Sequence, residues 1–153
     1  MEQVEVSRLY QLYSEDVFRL ALSYLHNRQD AEDISQAVFL KTMEQKKPLV
    51  PGKEKAWLLT CTANACKNHL RSFWRKNTVA LEENMVFSQE TERELWIAMQ
   101  ALMPRDRALL HLYYYEGYGQ DEIARILGIT RTAVQTRMHR ARKNLEKELK
   151  VYE

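Results

Sequence analysis

The residues of this sequence best suited to chemistry are basic, and many of them lie close together near its end. From Arg125 to Lys143 there is no acidic residue, and the next acid is Glu146. Six cations occupy this part of the chain, and five of them follow Gly128: Arg131, Arg137, Arg140, Arg142 and Lys143. Arginine and lysine neutralise phosphates, and arginine and glutamine can bind base edges through two hydrogen bonds. The pattern predicts a surface for a polyanion, with duplex DNA as the favoured ligand.

Two short helices around Gly128 are expected to carry this surface. Gly128 supplies a left-handed turn residue, and Thr130 is placed to cap the second helix. The first helix is expected to bury Ile123, Ala124 and Leu127, and the second Val134, Met138, Ala141 and Leu145. The DNA-facing side chains are predicted to be Arg131, Thr132, Gln135, Thr136, His139, Arg140 and Lys143. This is the pattern of a helix-turn-helix with an exposed recognition helix. The alternative is a helical hairpin that only buries an apolar face.

A second basic block lies upstream, between Glu54 and Glu82, where no acid occurs. A helix is predicted from about Glu54 to Arg75, with an apolar face at Leu59, Ala63, Cys66, Leu70 and Phe73. A separate stripe at helical spacing contains Asn64, Lys67, Asn68, Arg71 and Arg75. Trp57 lies seven residues before Asn64 and points to this polar side, where an aromatic ring can stack on an unpaired base. Burial of Trp57 in the core remains the alternative.

The segment DAEDISQAVFLK, residues 30–41, predicts a helix with a different kind of surface. Asp30 is expected to be its N-cap, and Ala31, Ile34 and Val38 to form its inner face. Asp33 and Gln36 are predicted outside, with Phe39 as an exposed aromatic beside them. An aromatic next to polar groups favours a protein-docking surface, whereas a solvated helix face is the simpler alternative.

Composition places these segments in an all-α protein of two small helical domains. The 153 residues hold only four glycines and three prolines, and helix-forming residues are plentiful. A helical domain is predicted over residues 1–76, a flexible acidic linker over 77–93, and a second helical domain over 94–153. Pro104 is expected to begin a helix that Gly117 ends. No apolar run is long enough for a membrane span and no secretory signal is recognisable, so a cytoplasmic protein is expected.

Other candidate sites are weak, and no cofactor or metal is predicted. Cys61, Cys66 and His69 suggest a metal site, but side chains five positions apart on a helix diverge and no fourth ligand is near in sequence. The sequence also lacks a phosphate-binding glycine loop and a nucleophile–base pair. A DNA-processing enzyme is therefore disfavoured, and the protein is expected not to be an enzyme.

Three segments together resemble the bacterial RNA polymerase sigma factors. They are SYLHNRQDAEDISQAVFLK, AWLLTCTANACKNHLRS and LMPRDRALLHLYYYEGYGQDEIARILGITRTAVQTRMHRAR. The pattern is most similar to the extracytoplasmic-function group, which keeps only conserved regions 2 and 4. The resemblance covers nearly the whole chain outside the linker. One departure is Gln135, where the family often has a basic residue, and glutamine favours adenine.

The resemblance implies a role for each segment. The helix with Asp33, Gln36 and Phe39 would dock on the clamp helices of core RNA polymerase. Trp57, Asn64, Lys67, Asn68 and Arg71 would recognise and open the −10 promoter element. The helix-turn-helix would read the −35 element and touch the polymerase flap. An anti-sigma factor would be a further partner, and the linker would enter the polymerase channels. The competing hypothesis is a stand-alone regulator that binds duplex DNA without polymerase.

Overall fold

The computed structural model describes residues 1–76, 87 and 89–150, and within them the chain is helical with no strand. The helices are α1 (Gln3–Leu25), α2 (Arg28–Met43), α3 (Glu54–Lys76), α4 (Glu90–Gln100), α5 (Pro104–Leu110), α6 (Gln120–Leu127) and α7 (Arg131–Leu149). They form two compact units: the first contains α1–α3 together with residues 126–128, and the second contains α4, α5, the rest of α6 and α7. The predicted all-α class is thus confirmed. No helix in the described ranges is long and apolar enough to cross a membrane.

The predicted linker is described only in part. Residues 77–86 and 88 lie outside the described residues. The prediction that the linker is flexible concerns mainly these residues. The last part of the predicted linker is helical, because α4 begins at Glu90 and not at about Glu94. Acids at Glu90 and Glu92 in the first turn suit the positive end of the helix dipole, which explains the earlier start.

The first unit is a bundle in which α1 packs against both α2 and α3. Helix α1 supplies much of its core, since Leu9, Val17, Leu20 and Tyr24 are buried. His26 then ends α1 in the left-handed conformation, with φ 50°, and its backbone N–H donates to Leu22 O at 2.8 Å. A compact bundle gives α2 and α3 one face each for the core and leaves the opposite faces outside.

The start of α2 differs from the prediction. Asn27 is the N-cap, and its side-chain oxygen accepts a hydrogen bond from the Asp30 backbone N–H at 2.9 Å. Asp30 lies inside the first turn, where its charge suits the helix dipole. Either residue type can cap a helix, and the extended backbone at Asn27 decides between them.

The second unit places α7 against α4 and α5. Arg107 of α5 is buried and donates to Leu102 O at 2.8 Å and to Met99 O at 3.5 Å. Met99 lies in the last turn of α4 and Leu102 follows the helix. The Arg107 guanidinium therefore donates to carbonyls at the end of α4 and joins this helix to α5. Burial lowers the pKa of Arg107 to about 10, and the side chain remains charged at neutral pH. The burial of Arg107 was not predicted from the sequence.

Pro104 occupies the first turn of α5, as predicted, but the helix does not continue in α-helical form to Gly117. A π-helical turn, His111–Tyr115, follows α5, and the Glu116 N–H donates to His111 O at 3.1 Å. Gly117 then has φ 75°, which leads the chain towards α6. Three tyrosines in succession, at positions 113–115, cannot share one buried side, and Tyr114 and Tyr115 are exposed.

Candidate nucleic-acid interface

Helix α7 presents the surface that the sequence assigned to DNA. Its inner side chains Val134, Met138 and Ala141 are buried, while Leu145 is half-buried. All seven predicted DNA-facing residues are exposed: Arg131, Thr132, Gln135, Thr136, His139, Arg140 and Lys143. At about 100° per residue, Thr136 and Lys143 lie at the centre of the exposed face and Gln135 and Arg140 on its two flanks.

The turn before α7 has the predicted geometry. Gly128 has φ 68°, a conformation in which a side chain would be strained. Thr130 caps α7 by accepting a hydrogen bond from the Ala133 N–H at 3.0 Å. On α6, Ile123 and Leu127 are buried as predicted, whereas Ala124 is half-buried. The turn therefore fixes where the recognition helix begins, which sets the side chains it can offer to a groove.

Two contacts hold one flank of the recognition helix to the first turn of α6. The Gln135 amide nitrogen donates to the Gln120 side-chain oxygen at 3.0 Å. Arg131 lies 3.6 Å from the Asp121 carboxylate, and both side chains are well exposed. Two predicted DNA contacts thus have protein partners that the sequence pattern did not reveal.

The other flank is tied to a buried acid. Arg140 Nη2 lies 3.3 Å from Asp106 Oδ1; the Asp106 side chain is 1% exposed and that of Arg140 is 43% exposed. A buried carboxylate needs a partner, because an unpaired one is costly. Arg140 is therefore both a structural partner of α5 and an exposed cation.

An aromatic patch neighbours the same helix. The Arg142 guanidinium lies over the rings of Tyr113 and Tyr114, 5.2 and 5.4 Å from their centroids. This cation–π arrangement directs Arg142 towards the π-helical turn. On the helical projection Arg142 is exposed but lies away from Thr136 and Lys143, the centre of the predicted DNA face.

Helix α3 carries the second basic face. Leu58, Leu59, Ala63 and Cys66 are buried, and Leu70 is half-buried. On the opposite side Asn64, Asn68 and Arg71 are exposed, while Lys67 is half-buried. Arg71 donates to the Asn68 side-chain oxygen at 2.6 Å, so these two polar groups act as a pair. The side chains of Phe73 and Arg75 lie outside the described residues.

Trp57 has an intermediate position. On a helical projection it falls between Asn64 and Asn68, on the polar side predicted for it. Its side chain is half-buried, so it belongs neither to the enclosed core nor to the fully exposed surface. A ring that is partly supported by the bundle and partly open is suited to stacking on a base.

The outer face of α2 needs one correction. Asp33 and Gln36 are exposed as predicted, but Phe39 is 6% exposed and makes an edge contact with Tyr10, 5.1 Å between centroids. The buried arc of α2 is wide because the helix packs against both α1 and α3. Leu40 is the exposed apolar residue instead, at 63%, and on the helical projection it lies between Asp33 and Gln36. Its i+4 spacing from Gln36 is the signal that could have identified it.

A groove of about 350 Å³ lies beside this face. It is lined by Tyr10, Ser14, Glu15, Phe18, Glu32, Ser35 and Gln36. Gln36 belongs to both the groove and the outer face of α2, so the two features are adjacent.

The cysteines and histidines do not form a shared site. Cys66 is buried, and burial raises the pKa of its thiol; burial also raises the pKa of the half-buried Cys61. His69 instead lies 3.5 Å from Asp30, which joins α3 to α2. In the described part of the chain no three His, Cys, Asp or Glu side chains are grouped so as to hold a metal ion.

The geometry defines a class of protein: two helical units, each with a basic polar face, one of them a helix-turn-helix. Two family models match these units. Sigma-70 region 2 matches residues 9–76, and Sigma-70, region 4 matches residues 92–145.

Characterised proteins give the same result. RNA polymerase sigma factor CarQ of Myxococcus xanthus is 30% identical over 129 residues, covering 78% of this chain and 74% of CarQ. ECF RNA polymerase sigma factor SigM of Bacillus subtilis is 27% identical, with 92% of this chain and 93% of SigM covered. ECF RNA polymerase sigma factor SigE of Mycolicibacterium smegmatis is 28% identical over 90% of this chain, which spans 58% of SigE. The chain belongs to the RNA polymerase sigma factors, in the extracytoplasmic-function group with regions 2 and 4.

Solved structures share the fold. The sigma factor RpoE from Bartonella quintana, in complex with the anti-sigma factor NepR, has a TM-score of 0.78 at 23% identity, with 95% of this chain and 96% of that chain covered. CnrH, in complex with the cytosolic domain of CnrY, has a TM-score of 0.67 at 22% identity, over 98% and 90% of the two chains.

Proposed function

We propose that this sigma factor docks on core RNA polymerase through α2 and reads a promoter through α3 and α7. The observation that carries the proposal is the presence, in one chain, of two basic helix faces and a third face of a different chemistry. A protein that only binds duplex DNA needs the face on α7 alone. The α2 face, with exposed polar and apolar side chains, fits a protein partner.

Docking on the core enzyme is assigned to Asp33, Gln36 and Leu40. The carboxylate of Asp33 accepts a hydrogen bond from Gln29 at 3.1 Å, which restrains it for a partner. Leu40 supplies apolar surface that becomes buried when the partner binds, which favours association. Gln36 supplies an amide at the edge of the groove. The expected partner is the clamp-helix pair of the largest catalytic subunit. Phe39 supports this face from the core and does not touch the partner.

The −35 element is assigned to the recognition helix. Thr132, Thr136 and Lys143 lie towards the middle of the exposed face, where a major groove would receive them. Arg131, His139 and Arg140 surround them and contribute positive charge for phosphates. Gln135 is expected to read adenine, because its amide matches the acceptor and donor of that base. The polymerase flap is the proposed protein contact of the same unit.

The −10 element is assigned to α3. Asn64, Lys67, Asn68 and Arg71 supply polar and basic contacts to a strand whose bases are leaving the duplex. Opening a base step costs a few kcal/mol, and stacking on an aromatic side chain offsets part of this cost at about 1–3 kcal/mol per base. Trp57 is the ring placed to do this. Strand opening in this proposal therefore needs binding energy and no nucleotide hydrolysis.

Two further features belong to the proposal. Residues 77–89 join the units, and their acids are proposed to enter the channels of the polymerase. An anti-sigma factor is proposed as a regulatory partner, by analogy with the complex of RpoE with the anti-sigma factor NepR. The protein would act in the cytoplasm as an initiation factor without catalytic activity of its own. No cofactor is assigned.

Run-off transcription with purified core polymerase tests the function. The template pool carries randomised upstream elements, and reactions are run with and without the protein. Protein-dependent transcripts that share two upstream elements are expected. Sequence-specific duplex binding with neither core binding nor transcripts would instead establish a stand-alone regulator.

The double variant Asp33→Ala, Gln36→Ala serves as the docking control in this assay. It should lose core binding while its helical signal by circular dichroism stays unchanged. Glu2→Ala with Gln3→Ala also removes one acid and one amide, at the exposed start of α1 and outside both the α2 face and the groove, and this matched variant should retain core binding. Unchanged co-purification of the first double variant with core would remove α2 from the interface.

A further inference from the structure

The hydrogen bond between Gln135 and Gln120 bears on which base the recognition helix selects. Gln120 is the first residue of α6, and Gln135 lies in the first half of α7. The Gln135 Nε2 donates to Gln120 Oε1 at 3.0 Å, and both side chains belong to the same compact unit. This bond restricts both the direction and the hydrogen-bonding capacity of the one amide in the predicted DNA face.

A glutamine amide has two N–H donors and one accepting oxygen. The bond to Gln120 uses one N–H of Gln135 and leaves one N–H and the oxygen. Adenine offers an acceptor at N7 and a donor at N6 in the major groove, whereas guanine offers acceptors at both N7 and O6. The remaining groups of Gln135 can satisfy adenine with two hydrogen bonds and guanine with only one.

We propose that Gln120 is a specificity-determining positioning residue, which holds the Gln135 amide in the orientation that accepts adenine and rejects guanine at one position of the upstream element. The inference rests on the proposed reading of that element by α7. Gln120 acts through Gln135 and need not touch the base. Without Gln120, the Gln135 amide can rotate and offer both N–H groups, so discrimination between adenine and guanine falls.

The test is the base preference of transcripts from the randomised pool, measured with core polymerase and the full chain. Wild-type protein should prefer adenine to guanine by about tenfold at one upstream position. Gln135→Ala should abolish that preference. Gln120→Leu should reduce it to about twofold at the same position and leave the other positions unchanged. A merely structural role of Gln120 would lower transcript yield without changing the preference.

Three further variants sharpen the result. Gln120→Glu keeps an accepting oxygen for the Gln135 N–H, so the adenine preference should be retained even if added negative charge lowers the yield. Gln120→Leu combined with Gln135→Ala should show no further loss of preference, since the two residues act as a unit. Gln89→Leu makes the same change at an exposed glutamine elsewhere in the same unit and should behave as wild type.

The possible results distinguish failure of the Gln120 role from failure of the proposed sigma function. Protein-dependent transcripts whose adenine preference survives Gln120→Leu would overturn the role of Gln120 and leave the sigma function intact. A preference that is lost equally with Gln120→Leu and Gln120→Glu would also overturn it, because the acceptor would then be irrelevant. Complete absence of protein-dependent transcripts would overturn both the proposed function and this inference.

Discussion

Arg140 is an exposed cation on the predicted DNA face and also the ion-pair partner of the buried Asp106. The spacing of α7 correctly placed it on the outer face, but its pairing with Asp106 was not predictable. The two residues are 34 positions apart, and nothing in the local pattern of α5 marks Asp106 as buried. Arg140→Ala is therefore expected to affect folding stability as well as DNA contact.

At this scale we predict that Arg140→Ala lowers the free energy of unfolding by about 1–3 kcal/mol, because it leaves the Asp106 carboxylate buried without its partner. It should also weaken binding to the upstream element. Lys143→Ala is the matched control: it should weaken DNA binding and change stability by no more than about 0.5 kcal/mol. Urea denaturation of both variants gives the comparison. Equal stability of the two would remove the structural role of Arg140.

Helix α2 shows how far periodicity predicts an element. Ala31, Ile34 and Val38 were found as the inner face because they repeat at helical spacing. Phe39 was misplaced because a helix packed against two neighbours buries a wider arc than one stripe, and a single sequence does not state how many neighbours there are. The cap was misplaced by three residues for a related reason: Asn27 and Asp30 are both good capping residues.

Phe39 and Leu40 are neighbours on α2 with different environments, one buried and one exposed. Phe39→Ala should destabilise the first unit by about 3–5 kcal/mol, as expected for removal of a buried aromatic ring. Leu40→Ala should leave stability nearly unchanged and weaken core polymerase binding several-fold. Thermal unfolding and a core-binding titration of both variants separate the two effects. Loss of core affinity in a fully folded Phe39→Ala variant, with none in Leu40→Ala, would restore the original assignment of Phe39.

For the whole molecule, the arrangement of functions along the chain was easier to predict than any single contact. Two acid-free blocks separated by acids predicted two DNA-binding units, and three motifs in order predicted the family. Contacts such as those of Arg107 with the end of α4, or of Gln120 with Gln135, depend on how helices pack and could not be predicted from spacing. Sequence spacing therefore predicted which helix faces are exposed, and the structure identified the neighbouring side chains that contact residues on those faces.

The length of the tether between the two units is expected to affect transcript yield. Ten Gly/Ser residues inserted between Glu83 and Asn84 should lower transcript yield about twofold, because the effective concentration of the second unit falls with about the −3/2 power of tether length. Core binding through α2 should not change. Replacing residues 77–86 by ten Gly/Ser residues keeps the length and isolates the effect of the linker sequence. An insertion that leaves the yield unaltered would show that the two units engage the promoter independently.

The π-helical turn at His111–Tyr115 has a consequence for insertions and deletions. In an α-helix one residue corresponds to a rotation of about 100° and an advance of about 1.5 Å. Loss of one residue among Tyr113, Tyr114 and Tyr115 would allow ordinary α-helical hydrogen bonding there, yet it would also rotate Gly117 and redirect the chain that enters α6. Substitution of these tyrosines changes a surface, whereas deletion changes the direction of the recognition helix. Related chains are therefore expected to vary in residue type along this turn while keeping its length.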